Sequence, residues 1–116
     1  MCGISGFYSV ENKFSEAELH SMTDTLARRG PDASGYYMDD TVGLGHRRLS
    51  IIDLSSSANQ PMHSGNDRYV MVYNGEVYNY REIASELKLN HKTDFKTYSD
   101  SEVILEAYIQ YGPAFL

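Results

Sequence analysis

Met1-Cys2-Gly3-Ile4-Ser5-Gly6-Phe7-Tyr8-Ser9-Val10 opens the chain and carries its one cysteine. Residues 3–10 alternate small and apolar types and read as a strand, although Gly3 and Gly6 weaken it by propensity. Glycines there let another group come close to the backbone beside Cys2; a bulge or a tight strand pairing explains them equally well. Removal of Met1 would make Cys2 the N-terminal residue, with a thiol and a free α-amine a few bonds apart. Their unperturbed pKa values are about 8.5 and about 7.7–8.0. Both groups can therefore exchange protons near neutral pH, and the thiolate is the reactive form. The plainer reading of Cys2 is a small buried hydrophobe, as a free cysteine commonly is.

The 116 residues suffice for one core, and a formal charge of −6 with no Lys/Arg run beyond two residues disfavours a nucleic-acid or anionic-membrane surface. One cysteine cannot form an internal disulfide. The start has no basic n-region, and no apolar run approaches the roughly 20 residues that span a bilayer. A soluble, cytoplasmic protein is expected. There is no C-x-x-C, H-E-x-x-H or acidic calcium loop, so no metal ligands are expected.

Further along, Ser15 and Glu18 form a capping box, with Phe14 and Leu19 as its staple. Leu19, Met22 and Leu26 mark a helical face, and Arg28-Arg29-Gly30-Pro31 ends it, the arginines facing the negative end of the dipole. Residues 34–38 and 42–52 read as two strands. The second contains Arg47-Arg48, whose side chains a strand sends to opposite faces. One of the two then points inward and needs an anion. A planar guanidinium suits a carboxylate, either a ligand's or an internal acid's. His46 reads as a satisfied structural histidine. Residues 54–68 read as a surface loop, with Gln60-Pro61-Met62 as an anchored piece.

Tyr69–Tyr73 is a short continuous apolar run that suits a strand buried on both faces. It leads into Asn74-Gly75-Glu76. Asn-Gly is ordinarily a hairpin turn, but an amide beside an unhindered glycine N–H also offers two neutral donors for a developing oxyanion. A second helix starts at Asn79, with Glu82 as its box partner, Tyr78 and Ile83 as its staple, Leu87 on its apolar face and Asn90 as its stop. A third starts at Ser99, with Glu102 as partner and Tyr98 and Val103 as staple. Ile104, Tyr108 and Tyr111 recur at helical spacing, and Gly112-Pro113 stops it. Asp100 falls in its first turn, where the helix dipole alone favours an acid.

Five stretches occur in a fixed order: Met1-Cys2-Gly3-Ile4, Arg29-Gly30-Pro31-Asp32, His46-Arg47-Arg48-Leu49-Ser50-Ile51, Tyr73-Asn74-Gly75-Glu76-Val77-Tyr78-Asn79 and Ser99-Asp100-Ser101-Glu102-Val103-Ile104-Leu105. Together they resemble the N-terminal glutaminase domain of glutamine-hydrolysing asparagine synthetases, which are class II glutamine amidotransferases. The resemblance covers the whole chain. It implies an α+β fold, part of an N-terminal-nucleophile hydrolase four-layer αββα sandwich with mostly antiparallel sheets. It implies that Cys2, once freed of Met1, attacks the glutamine side-chain amide. Its own amine relays the proton, giving a thioester and ammonia before water releases glutamate. Asn74 and Gly75 would form the oxyanion hole. Arg48 would hold the substrate α-carboxylate and Asp100 its α-ammonium, with Glu76 and the backbone of Leu49, Ser50, Ile51 and Ile52 lining the pocket.

In that family the ammonia feeds an ATP-dependent amidation of aspartate. ATP and magnesium belong to a synthetase domain, and no cofactor is implied for the glutaminase part. Residues 1–116 would be the N-terminal portion of the glutaminase domain, with its remaining strands and the synthetase domain absent and sheet edges left open. A homo-oligomer is expected. Two alternatives stand beside this reading: an amidotransferase for another acceptor, such as a surface-sugar or antibiotic precursor, and a truncated, unprocessed chain without turnover that folds by oligomerisation.

Overall fold

The computed structural model describes residues 1–11 and 13–115; Leu116, the last residue of the expected span, lies outside them. Among the described residues, β1 (Gly3–Tyr8), β2 (Ala33–Met38) and β3 (Val42–Arg48) form an antiparallel sheet in the order β1-β3-β2. The register pairs Gly3 with Arg47 and Ala33 with Arg48. The fold is α+β with antiparallel sheets, as expected. The strand expected over 42–52 ends at Arg48, and the chain from Leu49 onward leaves the sheet.

Alternation gives this sheet two faces of different chemistry. One packs on α1 (Glu16–Asp24), and small residues permit the approach. A Cβ at Gly45 would stand 2.0 Å from Thr23 Oγ1, and one at Gly3 would stand 2.8 Å from Leu26 Cβ. Thr23 is fully buried and shares hydrogen bonds with Ser5 Oγ at 2.8 Å and Leu19 O at 2.7 Å. The other face carries Cys2, His46 and Arg48 toward a cleft. As period 2 requires, Arg47 and Arg48 part company. Arg47 lies toward α1, donating to Gly30 O at 3.0 Å and pairing with Asp24 at 3.6 Å.

The capping box at Ser15 and Glu18 is present, but Phe14 stacks on Phe7, with centroids 4.7 Å apart. The buried stripe of α1 is Leu19 and Thr23; Met22 is exposed. α1 also ends four residues before the arginine pair. Residues 25–30 continue as turns closed by bonds such as Leu26 N to Thr23 O and Arg29 N to Leu26 O. Arg29 is therefore not a partner of the helix dipole: its Nε donates to Cys2 O at 3.2 Å and holds the chain start. The turn run brings Gly30 against β3, where a Cβ would stand 2.2 Å from the Arg47 carbonyl group. Backbone cannot yield as a side chain does. Gly30→Ala is expected to lower stability by about 3 kcal/mol, the upper end for overpacking, measured as a fall in the urea midpoint with unchanged m-value.

A second sheet pairs β4 (Met62–His63) with β5 (Val70–Met71), in the register Met62–Met71 and His63–Val70. The expected strand Tyr69–Tyr73 is thus cut to two half-buried residues. The partner strand explains this: Gln60, whose carbonyl would bond Tyr73 N–H as the next hydrogen-bonded pair, turns that carbonyl toward Gly35. The Asn74-Gly75 pair makes no hairpin and leads instead to α2 (Tyr80–His91).

Asn79 does not cap α2 with its side chain. Its backbone lies at φ −95° and ψ 22° rather than extended, and Tyr78 is 88% exposed, so the expected staple is absent. Asn90 remains helical, and Lys92 takes the left-handed turn at φ 55°. α3 (Asp100–Tyr111) starts at Ser99, whose Oγ accepts from Glu102 N, and is followed by Gly112. The Glu102 carboxylate does not close the box; it accepts from Lys96 N, Thr97 N and Thr97 Oγ1. Tyr98 is exposed and staples nothing.

Leu87, Val103 and Ala107 form the core between α2 and α3, with Ile83, Phe95 and Phe115 packed on it. The buried apolar residues of α3 are Val103, Leu105 and Ala107, and Val103 and Ala107 lie one position off the expected Ile104-Tyr108-Tyr111 face. Tyr108 and Tyr111 carry long, partly polar side chains. Tyr111 donates to Glu86 at 2.9 Å, and Tyr108 meets Tyr69 edge-on.

Candidate active site

A cleft of about 350 Å³ opens between the far face of the first sheet, the 49–60 loop, the 73–78 segment and the start of α3. It lies at the low end of small-ligand sites, which run from about 300 to 1,000 Å³. Of the expected site residues, Cys2, Arg48, Leu49, Ile51, Ile52, Asn74, Gly75, Glu76 and Asp100 all line it. Ser50 does not. Its backbone N–H donates to Asp32 Oδ2 at 2.7 Å, which turns that residue away toward the Gly30-Pro31-Asp32 turn.

Cys2 sits half-buried where β1 begins. Its Sγ receives the Leu49 N–H at 3.4 Å and lies 3.7 Å from Leu49 O. Arg29 holds its carbonyl. The thiol is thus fixed from both sides of the strand end, at the point where β3 releases the chain. Met1 also lines the cleft, and the Cys2 nitrogen is a peptide nitrogen.

Arg48 is 7% exposed. Nη1 donates to Ser55 O and Asn59 Oδ1, each at 2.7 Å, and Nη2 donates to Asp53 O. All three acceptors are neutral. The internal ion pair that the sequence left open is absent among the described residues, so a buried guanidinium holds its charge at the cleft without a carboxylate partner. Asp100 is 6% exposed, and its Oδ2 accepts from Val77 N at 3.0 Å. It therefore fixes the segment that follows Asn74-Gly75 while facing the cleft from the first turn of α3. Asn74, Gly75 and Glu76 are exposed on the opposite wall. A Cβ at Gly75 would stand 2.5 Å from the Tyr73 hydroxyl, so a larger residue there would have to displace that ring.

His46 departs from the expected satisfied histidine. It is 1% exposed, and neither ring nitrogen meets a hydrogen-bond partner among the described residues. Burial, with Arg48 nearby, pushes its pKa below 6.5 against an opposing pull from the Tyr73 carbonyl. It therefore sits neutral at the back of the cleft at neutral pH. Burial also raises the Tyr73 phenol, with the carboxylates of Asp100 and Glu76 adding to the effect.

Sequence reasoning missed two buried residues of this wall. Asp53 contributes its carbonyl to Arg48. Its carboxylate accepts from Ser55 N at 2.7 Å and Tyr98 N at 2.9 Å. Hydrogen bonds from Ser55 and Tyr98 hold its pKa below 3.8. Gln60 links Tyr73 to Ser101 through its side-chain amide. The anchored reading of Gln60-Pro61-Met62 was the available signal for it; Asp53 carried none. Among the described residues no group of three His, Cys, Asp or Glu side chains stands close enough to hold a metal ion, and no helix is long and apolar enough to cross a membrane.

The arrangement offers one thiol, one cation with no ion-paired carboxylate, acids facing the cleft and a pair of neutral donors. That set complements a small zwitterion carrying an amide. The glutamine amidotransferase domain family matches residues 1–116. Glutamine-hydrolysing asparagine synthetase 1 of Bacillus subtilis is 39% identical over 115 residues, covering 96% of this chain and 18% of that protein. Amidase chry2 of Gibberella zeae is 40% identical, covering 100% and 19%, and a probable asparagine synthetase of Schizosaccharomyces pombe is 42% identical, covering 98% and 20%. The chain spans about a fifth of the length of these curated relatives. It belongs to the glutamine amidotransferase domain family.

Proposed function

We propose that residues 1–116 are the N-terminal portion of a glutaminase domain of the asparagine synthetase type, part of a four-layer αββα sandwich. The supporting observation is the convergence of Cys2, Arg48, Asn74-Gly75 and Asp100 on one cleft. Arg48 binds the glutamine α-carboxylate through two parallel charge-assisted bonds, and Asp100 binds the α-ammonium. With Met1 removed, the Cys2 amine takes the thiol proton and Sγ attacks the side-chain carbonyl carbon. Asn74 and the Gly75 N–H receive the oxyanion. The C–N bond breaks, the amine's proton goes to the departing nitrogen as ammonia, and water attacks the thioester to release glutamate. Glu76, Leu49, Ile51 and Ile52 shape the pocket.

This part of the protein uses no cofactor. ATP and magnesium act in a synthetase part that amidates aspartate, an acceptor suggested by the asparagine synthetases among its relatives. The protein works in the cytoplasm without nucleic acid or membrane. It associates with a second copy, for which the outer edges of β1 and β2 are unpaired among the described residues. Incubation with a glutamine analogue bearing an electrophilic ketone in place of the amide tests the reading. One equivalent is expected on Cys2 by peptide mass mapping, with protection by glutamine; labelling that glutamine does not slow would sink it.

A further inference from the structure

We propose that Gln60 is a positioning residue for the Asn74-Gly75 donors, its side chain supplying the ladder bond to Tyr73 that its own carbonyl, turned toward Gly35, does not. The inference rests on the glutaminase reading above.

Extending the β4–β5 register toward the cleft sets Pro61 opposite Val72 and Gln60 opposite Tyr73. The Gln60 carbonyl is turned away against β2, so close that a Cβ at Gly35 would stand 2.0 Å from it. The backbone ladder therefore stops at Met62–Met71. The Tyr73 N–H is still satisfied, because Gln60 Oε1 accepts it at 2.5 Å. The same amide's Nε2 donates to Ser101 Oγ at 3.1 Å, on the first turn of α3. Gln60 is 7% exposed, so neither bond has water as an equal substitute.

The next fixed point is Val77, whose N–H donates to Asp100. Between Tyr73 and Val77, the backbone N–H groups of Asn74, Gly75 and Glu76 make no hydrogen bond among the described residues. The segment that must present an oxyanion hole thus hangs between two tethers. Both end on the start of α3, at Ser101 and Asp100. One tether is the acid already read as holding substrate; the other is Gln60. Oxyanion donors act only within about 2.7–3.1 Å of the developing charge, and a displacement of about 1 Å costs on the order of 100-fold in rate.

Gln60→Met keeps length and volume and removes both bonds. In the intact polypeptide it is expected to lower kcat for glutamine hydrolysis roughly 30- to 100-fold while KM stays within about threefold, because Arg48 and Asp100 are untouched. Affinity for a glutamine aldehyde analogue, whose adduct on Cys2 places a tetrahedral oxygen in the hole, should fall in parallel with kcat. Affinity for glutamate should not. Gln60→Glu accepts both the Tyr73 N–H and the Ser101 hydroxyl proton and should restore most of kcat. A folded Gln60→Met with unchanged kcat, or one that loses aldehyde and glutamate affinity equally, overturns the proposal. Should Gln60→Met not fold, Ser101→Ala removes only the far bond. A kcat about fivefold lower at constant KM then supports the role, and no change overturns it. Cys2→Ala in the same assay separates the two claims: activity surviving there overturns the glutaminase reading, whereas its loss beside a fully active Gln60→Met overturns only the positioning role.

Discussion

Cys2→Ala is expected to lower ammonia release from glutamine by at least about 10³-fold, since losing the nucleophile of a covalent mechanism costs up to about 10⁶-fold in kcat. Folding should hardly change. The Sγ contacts to Leu49, at 3.4 and 3.7 Å, are long and involve a weak donor and acceptor, so the loss of stability should stay near or below about 1 kcal/mol. In the intact polypeptide, synthesis from added free ammonia should continue, because that route bypasses the thiol. Glutamine-dependent and ammonia-dependent rates are to be measured on one preparation. Loss of both would mean that Cys2 supports the fold through the Leu49 junction, the only structural work its contacts suggest. The same logic applies to Met1: a form that retains it has no free amine on Cys2 and should hydrolyse glutamine as poorly as the alanine variant.

The parts of the site set by local rules were legible in the sequence. Strand alternation alone put Arg47 and Arg48 on opposite faces, and the structure seats one against α1 and the other in the cleft. The Ser15 box and the Ser99 cap were equally local. Failures came where a distant segment decided the outcome. Tyr69–Tyr73 has the composition of a full strand, but its length is set on the partner strand, where Gln60 turns its carbonyl toward Gly35. Arg29 looks like a helix-end charge, but it bonds to Cys2 O, 27 residues away. Asn79 has a capping residue's identity without its extended backbone. His46 has no pattern that distinguishes a satisfied imidazole from one left without partners. Gln60 carried a signal only as part of an anchored piece within a polar loop, and Asp53 carried none; the tertiary fold buries both.

Arg48→Ala should raise the KM for glutamine about 100-fold, the value of one charge-assisted pair at roughly 1.5–3 kcal/mol. It should also destabilise the fold by about 2–4 kcal/mol, since the Ser55 and Asp53 carbonyls and Asn59 Oδ1 lose their donor. A change in both quantities cannot separate substrate binding from loop support. Asn59→Asp can. Asn59 Oδ1 lies 2.7 Å from Arg48 Nη1, so a carboxylate there keeps the acceptor and adds the missing counter-charge. If the guanidinium's charge is reserved for substrate, this change compensates it internally. The KM should then rise about tenfold, or roughly 1.4 kcal/mol, while stability holds or increases. Isothermal glutamate binding and urea unfolding on the two variants give both axes. A KM unchanged in Asn59→Asp, with Arg48→Ala merely unfolded, would make Arg48 a scaffold for the 49–59 loop and move recognition of the α-carboxylate elsewhere. The expected outcome follows from one feature of the site: a buried arginine with three neutral acceptors and no ion-paired carboxylate has two further N–H donors to give a ligand, and a cation so placed favours an anionic one.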